Sequence, residues 1–364
     1  MKQHKKDRTG PQRPSWFRRH KKLVIILSPI IVLLIGGGVV SALYFMNRSE
    51  PEPAPAAVII PEPEPEPIKY YSPLSGNLVD DEAATKQAVT AIIIENSPDA
   101  RPQSGLKQSG VVFEAIAEGG ITRFVAIYQE TKPQLIGPVR SVRMYYVDWL
   151  AVFNASVAHI GGSAAALAEV RNGKYRDIDQ FFNPGTYWRA SDRYAPHNVY
   201  TSFKNLDALN KAKGYTTSKF TGFTREDSTA AAEPTASKIN VTISSNSYNS
   251  AYTYNTKKNS YDRSMGGVAH IDREDGRISP RVVIVMAVNE RTVFEDGYRQ
   301  QIDTIGSGKA WVFQNGTVTK ATWEKKSKTS QITFTDADKK DIPLARGQTW
   351  ITAVPSDTGG VTWK

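Results

Sequence analysis

The sequence contains no cysteine. Its absence excludes disulfides, thiolate metal sites, a cysteine nucleophile and a lipid carried on cysteine. Histidine is scarce, with five in 364 residues. Neither H-x-x-x-H nor H-E-x-x-H occurs, so a zinc site would have to be assembled from scattered residues. G-x-S-x-G, the nucleophile elbow of many serine hydrolases, is also missing. Acidic residues are nearly absent from positions 1–22, where nine Lys and Arg stand against Asp7 alone. No metal and no cofactor is expected.

What is present begins with a membrane segment. Leu23 to Phe45, LVIILSPIIVLLIGGGVVSALYF, runs 23 residues without a charged side chain. About 20 helical residues cross a hydrocarbon layer. The basic flank lies on the amino side, which keeps residues 1–22 cytoplasmic and sends the rest outward. A cleaved signal peptide is the alternative, with Val40-Ser41-Ala42 as its small-residue site. The apolar run is longer than the roughly 7–15 residues of a signal h-region, which favours a retained anchor at residues 23–45. Either reading exports the remainder, which without disulfides relies on a hydrophobic core. The first 22 residues account for +8 of the net charge of +10. The basic balance is therefore topological, and no nucleic acid is expected as a partner. Residues 46–69 read as a stalk, because seven prolines and five glutamates between Ser49 and Ile68 forbid packing. Such a segment favours polyproline II and reaches roughly 60 Å.

Composition divides the rest into residues 70–224 and 237–364, separated by a linker or loop at 225–236 that lacks large apolar side chains. In the first part, Val89–Glu95 (VTAIIIE) reads as a buried strand. Val111–Ala117 and Ile121–Gln129 flank a Gly119-Gly120 hairpin turn. Met144–Phe153 reads as a helix and Ala155–Ile160 as a strand. A second helix follows Ser163, and a third runs from about Ser202 to Gly214. The second part carries alternating strand runs at 239–244, 251–255, 281–288, 309–316 and 348–354, with Asn315-Gly316 as a hairpin dipeptide. The expected class is α+β with a strand-rich carboxy-terminal module.

The motifs IENSPDARPQSGL (94–106), EGGITRF (118–124), GPVRSVR (137–143), WRASDRYAPHNVY (188–200) and YDRSMGGVAHID (261–272) make the chain similar to the YerB-like family of bacterial envelope proteins. The resemblance covers essentially residues 71–364. It implies amino- and carboxy-terminal modules built of β-sheet layers covered by helices. Many relatives are lipoproteins, whereas this chain carries an apolar helix instead. The family implies no reaction.

Several residues are candidates for chemistry. A regular hairpin pairs Ile116 with Arg123 and puts Glu114, Glu118 and Arg123 on one face. The Cα atoms of Glu114 and Glu118 sit about 13 Å apart, too far for a glycosidase pair from these two alone. Arg140 and Arg143, at a turn entering a helix, suit wall phosphates or carboxylates, or pair within the domain. His159 precedes Gly161 and Gly162, whose loop lets a ligand approach closely. His197 stands beside Asn198, with Asp192 and Arg193 close in sequence, and His270 and Asp272 share a face if extended. Glu114, Glu118, His159 and His197 are the catalytic candidates. Arg123, Arg140, Arg143, Gly161, Gly162, Arg193, Asn198, His270 and Asp272 are the ligand-binding candidates. Against these stand structural roles: ion pairing for the charges, hydrogen-bonded strand-end positions for the histidines and a helix cap for Ser163. Tyr145, Tyr146, Trp149, Tyr187, Trp188, Tyr194 and Tyr200 either stack on sugars or fill a core. Lys325-Lys326 and Lys339-Lys340 read as solvated loop charges. Binding of a cell-wall polymer or an envelope protein is the leading expectation. A wall hydrolase or transferase with a Glu/His/Arg site and a purely structural partner are the alternatives.

Overall fold

The period-two runs of the sequence become strands because alternate side chains find two different cores. In the strand Thr90–Glu95, Ala91 and Ile93 enter one apolar cluster while Ile92 and Ile94 enter another. A strand buried on both faces has no polar alternation, which explains the unbroken TAIII run. Each of these isoleucines contributes about 1.5–3 kcal/mol of burial.

A computed structural model describes residues 21–48 and 67–364. The basic tail at 1–20 and the Pro/Glu-rich stretch at 49–66 lie outside the described residues. The chain divides into two units, Met1–Glu66 and Pro67–Lys364. In the first, a helix spans Lys21–Met46, and its Pro29–Met46 stretch of 18 residues has a mean hydropathy of 2.2. It is long and apolar enough to cross a membrane.

The second unit is built on a mixed sheet of ten strands. Its order is Thr333–Thr335, Thr317–Lys325, Gly306–Gln314, Val282–Val288, Thr349–Pro355, Val111–Glu118, Ile121–Tyr128, Thr90–Glu95, Ser156–Ala158, Arg176–Asp177. The helices Met144–Leu150 and Ala164–Val170 cover one face through Tyr146, Trp149, Ala166 and Val170. The helix Phe203–Ala212 covers the other through Phe203 and Leu206. A second sheet, ordered Val268–Ala269, Ser260–Met265, Ser250–Asn255, Lys238–Thr242, Gly360–Trp363, packs Ile239, Val241, Tyr252 and Tyr261 against Val283, Val285 and Phe313. The class is α+β.

The two sequence halves meet inside one sheet. Thr349–Pro355 lies parallel to both Val282–Val288 and Val111–Glu118, so a carboxy-terminal strand joins the two parts. The segment read as a linker is held at its start, where Arg225–Glu226 pairs with Leu344–Ala345. The Arg225 guanidinium donates to the carbonyls of Leu74, Ala345 and Gly347. Composition flags segments poor in apolar residues, but an arginine can bury its stem and spend its donors on backbone carbonyls.

Local details follow the turn chemistry. Asn315 (φ 57°) and Gly316 (φ 82°) form the left-handed pair that joins Gly306–Gln314 to Thr317–Lys325. Ser202 accepts from the Asn205 N–H as an N-cap, and Gly214 at φ 77° follows the helix end. Ser163 occupies the corresponding position of Ala164–Val170 but its side chain makes no capping bond. Lys325 departs from its expected solvated role. It is 1% exposed, donates to the carbonyls of Lys328 and Ser330, and burial lowers its pKa to about 8.

Candidate functional site

The expected carboxylate face does not form. A β-bulge between Ile116 and Glu118 makes Arg123 pair with Ala115 instead of Ile116. One extra residue reverses every side chain beyond it. Glu118 and Arg123 therefore share one face, and Glu114 lies on the other.

On the first face, Glu118 Oε1 accepts from Arg123 at 2.7 Å, and Oε2 accepts twice from Arg143. Burial alone would raise this carboxyl, but the two guanidiniums outweigh it and hold its pKa at about 2. Arg123 also donates to the Ser141 carbonyl and Arg143 to that of Val142. These charges bind one another.

On the second face, Glu114 and Arg263 form an ion pair at 2.8 Å with neither side chain exposed. Glu114 also accepts from Trp350 Nε1 at 2.9 Å and Thr352 Oγ1 at 3.3 Å. Arg263 stands over the Trp350 ring at 4.4 Å and reaches His270 Nδ1. His270 Nε2 meets Gln103 Oε1 at 3.1 Å, and burial, followed by the Arg263 charge, pushes its pKa well below the usual histidine range. Asp272 accepts the backbone N–H groups of Lys107, Glu274 and Asp275. His270 and Asp272 thus tie loops together inside the fold rather than present a ligand face.

His159 is also enclosed. Its ring nitrogens face Gly161 O at 2.8 Å and Asp177 Oδ1 at 2.9 Å, and the side chain is 0% exposed. Gly161 donates to Asp179, and a Cβ at Gly162 would meet Val142 Cγ1 at 2.7 Å. Tyr145, Tyr146, Trp149, Tyr187 and Tyr200 are buried, whereas Trp188 and Tyr194 reach the surface.

Arg140 and His197 do converge, on a residue that sequence reasoning passed over. Glu95 ends the strand Thr90–Glu95 with 3% of its side chain exposed. An Ile94–Val139 bridge brings Arg140 alongside, with its Nε 3.2 Å from Glu95 Oε1. The same oxygen meets His197 Nδ1 at 2.9 Å and Ser97 Oγ at 2.9 Å. Glu95 Oε2 is buried without a hydrogen-bond partner. His197 keeps 22% of its side chain exposed. Its loop is pinned by Asn198, which accepts from Arg189 and donates to the carbonyls of Ala190 and Arg193. The signal available in the sequence was a glutamate closing an otherwise apolar strand directly before a turn-rich loop.

His197 lines an open cleft of about 750 Å³ together with Asp99, Arg101, Asp192, Arg193, Tyr194 and Arg273. Arg273 is neutralised by Asp192 at 2.6 Å. Arg193 donates instead to the carbonyls of Asp99 and Pro102. Arg101 donates to the carbonyl and side-chain oxygens of Asn96 and stands 5.2 Å from the Tyr248 ring centroid. Among the described residues neither guanidinium makes a salt bridge, so both keep their charge for the cleft. The single carboxylate left over there is Asp99, and Tyr194 is 92% exposed. A separate cleft of about 570 Å³ between Ile302, Lys309 and Trp323 contains none of the sequence candidates.

Two family models match in tandem. "Protein of unknown function (DUF3048) N-terminal domain" covers residues 74–216 and "Protein of unknown function (DUF3048) C-terminal domain" covers residues 239–351. A relative named "Putative lipoprotein YerB", from Bacillus subtilis (strain 168), is 34% identical over 296 residues, 79% of this chain and 87% of that protein. The crystal structure of a YerB protein from Bacillus subtilis superimposes with a TM-score of 0.72 at 31% identity, covering 81% of this chain and 100% of that one.

Proposed function

This chain belongs to the YerB family of DUF3048 proteins, and on that premise we propose that it is a membrane-anchored envelope protein whose folded part binds an anionic wall polymer outside the cytoplasm. The anchor is the apolar helix Lys21–Met46, with the basic amino terminus cytoplasmic. The lipoprotein name of the relative supports an envelope location. In a chain without cysteine the helix takes the place of a lipid.

One observation carries the binding reading: Arg101 and Arg193 are held by neutral oxygens at the wall of an open cleft. Neutral acceptors fix a guanidinium without cancelling its charge, which leaves it free to take a phosphate or carboxylate oxygen. Tyr194 beside them offers a ring for a sugar or alditol backbone. Phosphate-rich polymer suits this arrangement best, because repeated single charges meet separate guanidiniums. Arg140 and Arg143, the arginines favoured by spacing, are instead paired with Glu95 and Glu118.

The test is retention of the detergent-solubilised full chain on immobilised poly(glycerol phosphate). Arg193→Ala and Arg101→Ala are expected to weaken retention about tenfold each, the loss of one charge-assisted contact. Added salt should weaken the wild type more than either variant. Equal retention of wild type and both variants would sink the proposal, and no retention at any salt would favour a purely structural role.

A further inference from the structure

Glu95 is buried and Glu118 half-buried, and both carboxylates face arginine, but they are used differently. Glu118 spends both oxygens on Arg123 and Arg143. Glu95 gathers Arg140, Ser97 and His197 on Oε1 and leaves Oε2 buried without a partner. An ion pair built for stability uses both oxygens, because an unpaired buried acceptor costs free energy. The Glu95 arrangement resembles the rear half of an acid–base site, in which a carboxylate orients a histidine from behind.

The geometry fixes which ring nitrogen works. Nδ1 faces Glu95 Oε1 at 2.9 Å and Ser97 Oγ at 3.1 Å. A carboxylate accepts, so the neutral ring carries its proton on Nδ1 and its lone pair on Nε2. Nδ1 is turned towards a carboxylate that is 3% exposed, while His197 keeps 22% of its side chain exposed and lines the cleft. The two uncancelled guanidiniums, Arg101 and Arg193, line the same cleft.

We propose that this cleft hydrolyses the polymer it holds, with His197 as general base against a phosphodiester and Glu95 as its positioning residue. The inference rests on the anionic-polymer reading above. His197 Nε2 takes a proton from water, the water oxygen bonds to phosphorus, and the bond from phosphorus to one alditol oxygen breaks. The departing oxygen takes its electron pair and a proton from solvent, and the imidazolium returns its proton to solvent. Diester and water become monoester and alcohol. Arg101 and Arg193 neutralise the non-bridging oxygens as charge builds there.

The experiment uses the full chain in detergent with a synthetic glycerol-phosphate oligomer. Retention and phosphorus NMR, which separates diester from monoester, are read on the same samples. The wild type is expected to release monoester. His197→Ala should bind as before but cleave about 10²–10⁴-fold more slowly, and added imidazole should restore part of the rate. Glu95→Gln should lower kcat at unchanged KM and alter the pH profile, which loss of a mere tether would not do. His197→Gln replaces His197→Ala if circular dichroism shows the latter unfolded. Binding without monoester from the wild type overturns catalysis and leaves the binding proposal standing. Equal cleavage by wild type and both His197 variants overturns the role of His197. Absence of binding removes both readings together.

Discussion

Replacing Glu114 by leucine tests the join between the two sequence halves. Glu114 and Arg263 touch at 2.8 Å with both side chains fully buried, 149 residues apart in the chain. The substitution strands the Arg263 charge among Phe124, Tyr252 and Trp350 and leaves the Trp350 indole N–H without its acceptor. Breaking a buried pair from one side costs about 3–5 kcal/mol, mostly the desolvation of the survivor. At about 2–4 °C per kcal/mol for a large domain, the melting temperature should fall by roughly 6–20 °C. Arg263→Met alone should cost a similar amount, because it strands the carboxylate. The double variant removes both charges and should lose no more than either single variant, giving a coupling of at least about 3 kcal/mol in a double-mutant cycle. Thermal unfolding followed by tryptophan fluorescence measures all four proteins. Additive single losses, or a Glu114→Leu shift under about 2 °C, would refute the claim that this pair is mutually dependent.

Acid titration should expose Glu118. Its pKa is held from 4.5 down to about 2, so its stabilising contribution is complete above the unfolded value and disappears as pH falls from 4.5 towards 2. Allowing for solvent screening, this amounts to about 2 kcal/mol, and Glu118→Gln should be flat over that range in thermal melts. Glu290 has the opposite sign. Burial, then Asp357, raises it from 4.5 to about 7, so the folded chain holds the proton more tightly and stability falls as pH rises through that window. The loss is about 1–2 kcal/mol, and Glu290→Gln should abolish the slope; a slope that persists in the variant places the effect elsewhere. Gly222→Ala would put its Cβ 1.7 Å from the Pro73 carbonyl oxygen, and backbone on both sides cannot yield cheaply. A cost above about 2 kcal/mol is expected in urea unfolding, and a wild-type midpoint would show that the two segments separate freely.

The division between what was legible in the sequence and what was not follows the range of each interaction. The apolar run at 23–45, the buried strand ending at Glu95, the Asn315-Gly316 turn and the Ser202 cap depend on neighbours a few residues away. Periodicity and turn chemistry report such features directly. The α+β class follows from their order along the chain. The candidate site was only half visible. His197, Arg140 and Arg193 stood out by residue type, but nothing local indicated that Glu95, 102 residues before His197, would receive them. A single bulge at Ile116–Glu118 reversed the expected face of Glu114, because strand faces alternate with every residue and register is set by the partner strand. The union of the two halves rests likewise on Thr349–Pro355 lying beside Val111–Glu118. The sequence by itself therefore determined the elements, the apolar helix and the supply of charged groups. The tertiary structure alone decided which charges cancel and which stay available, since that depends on long-range pairing that leaves no period or spacing to read.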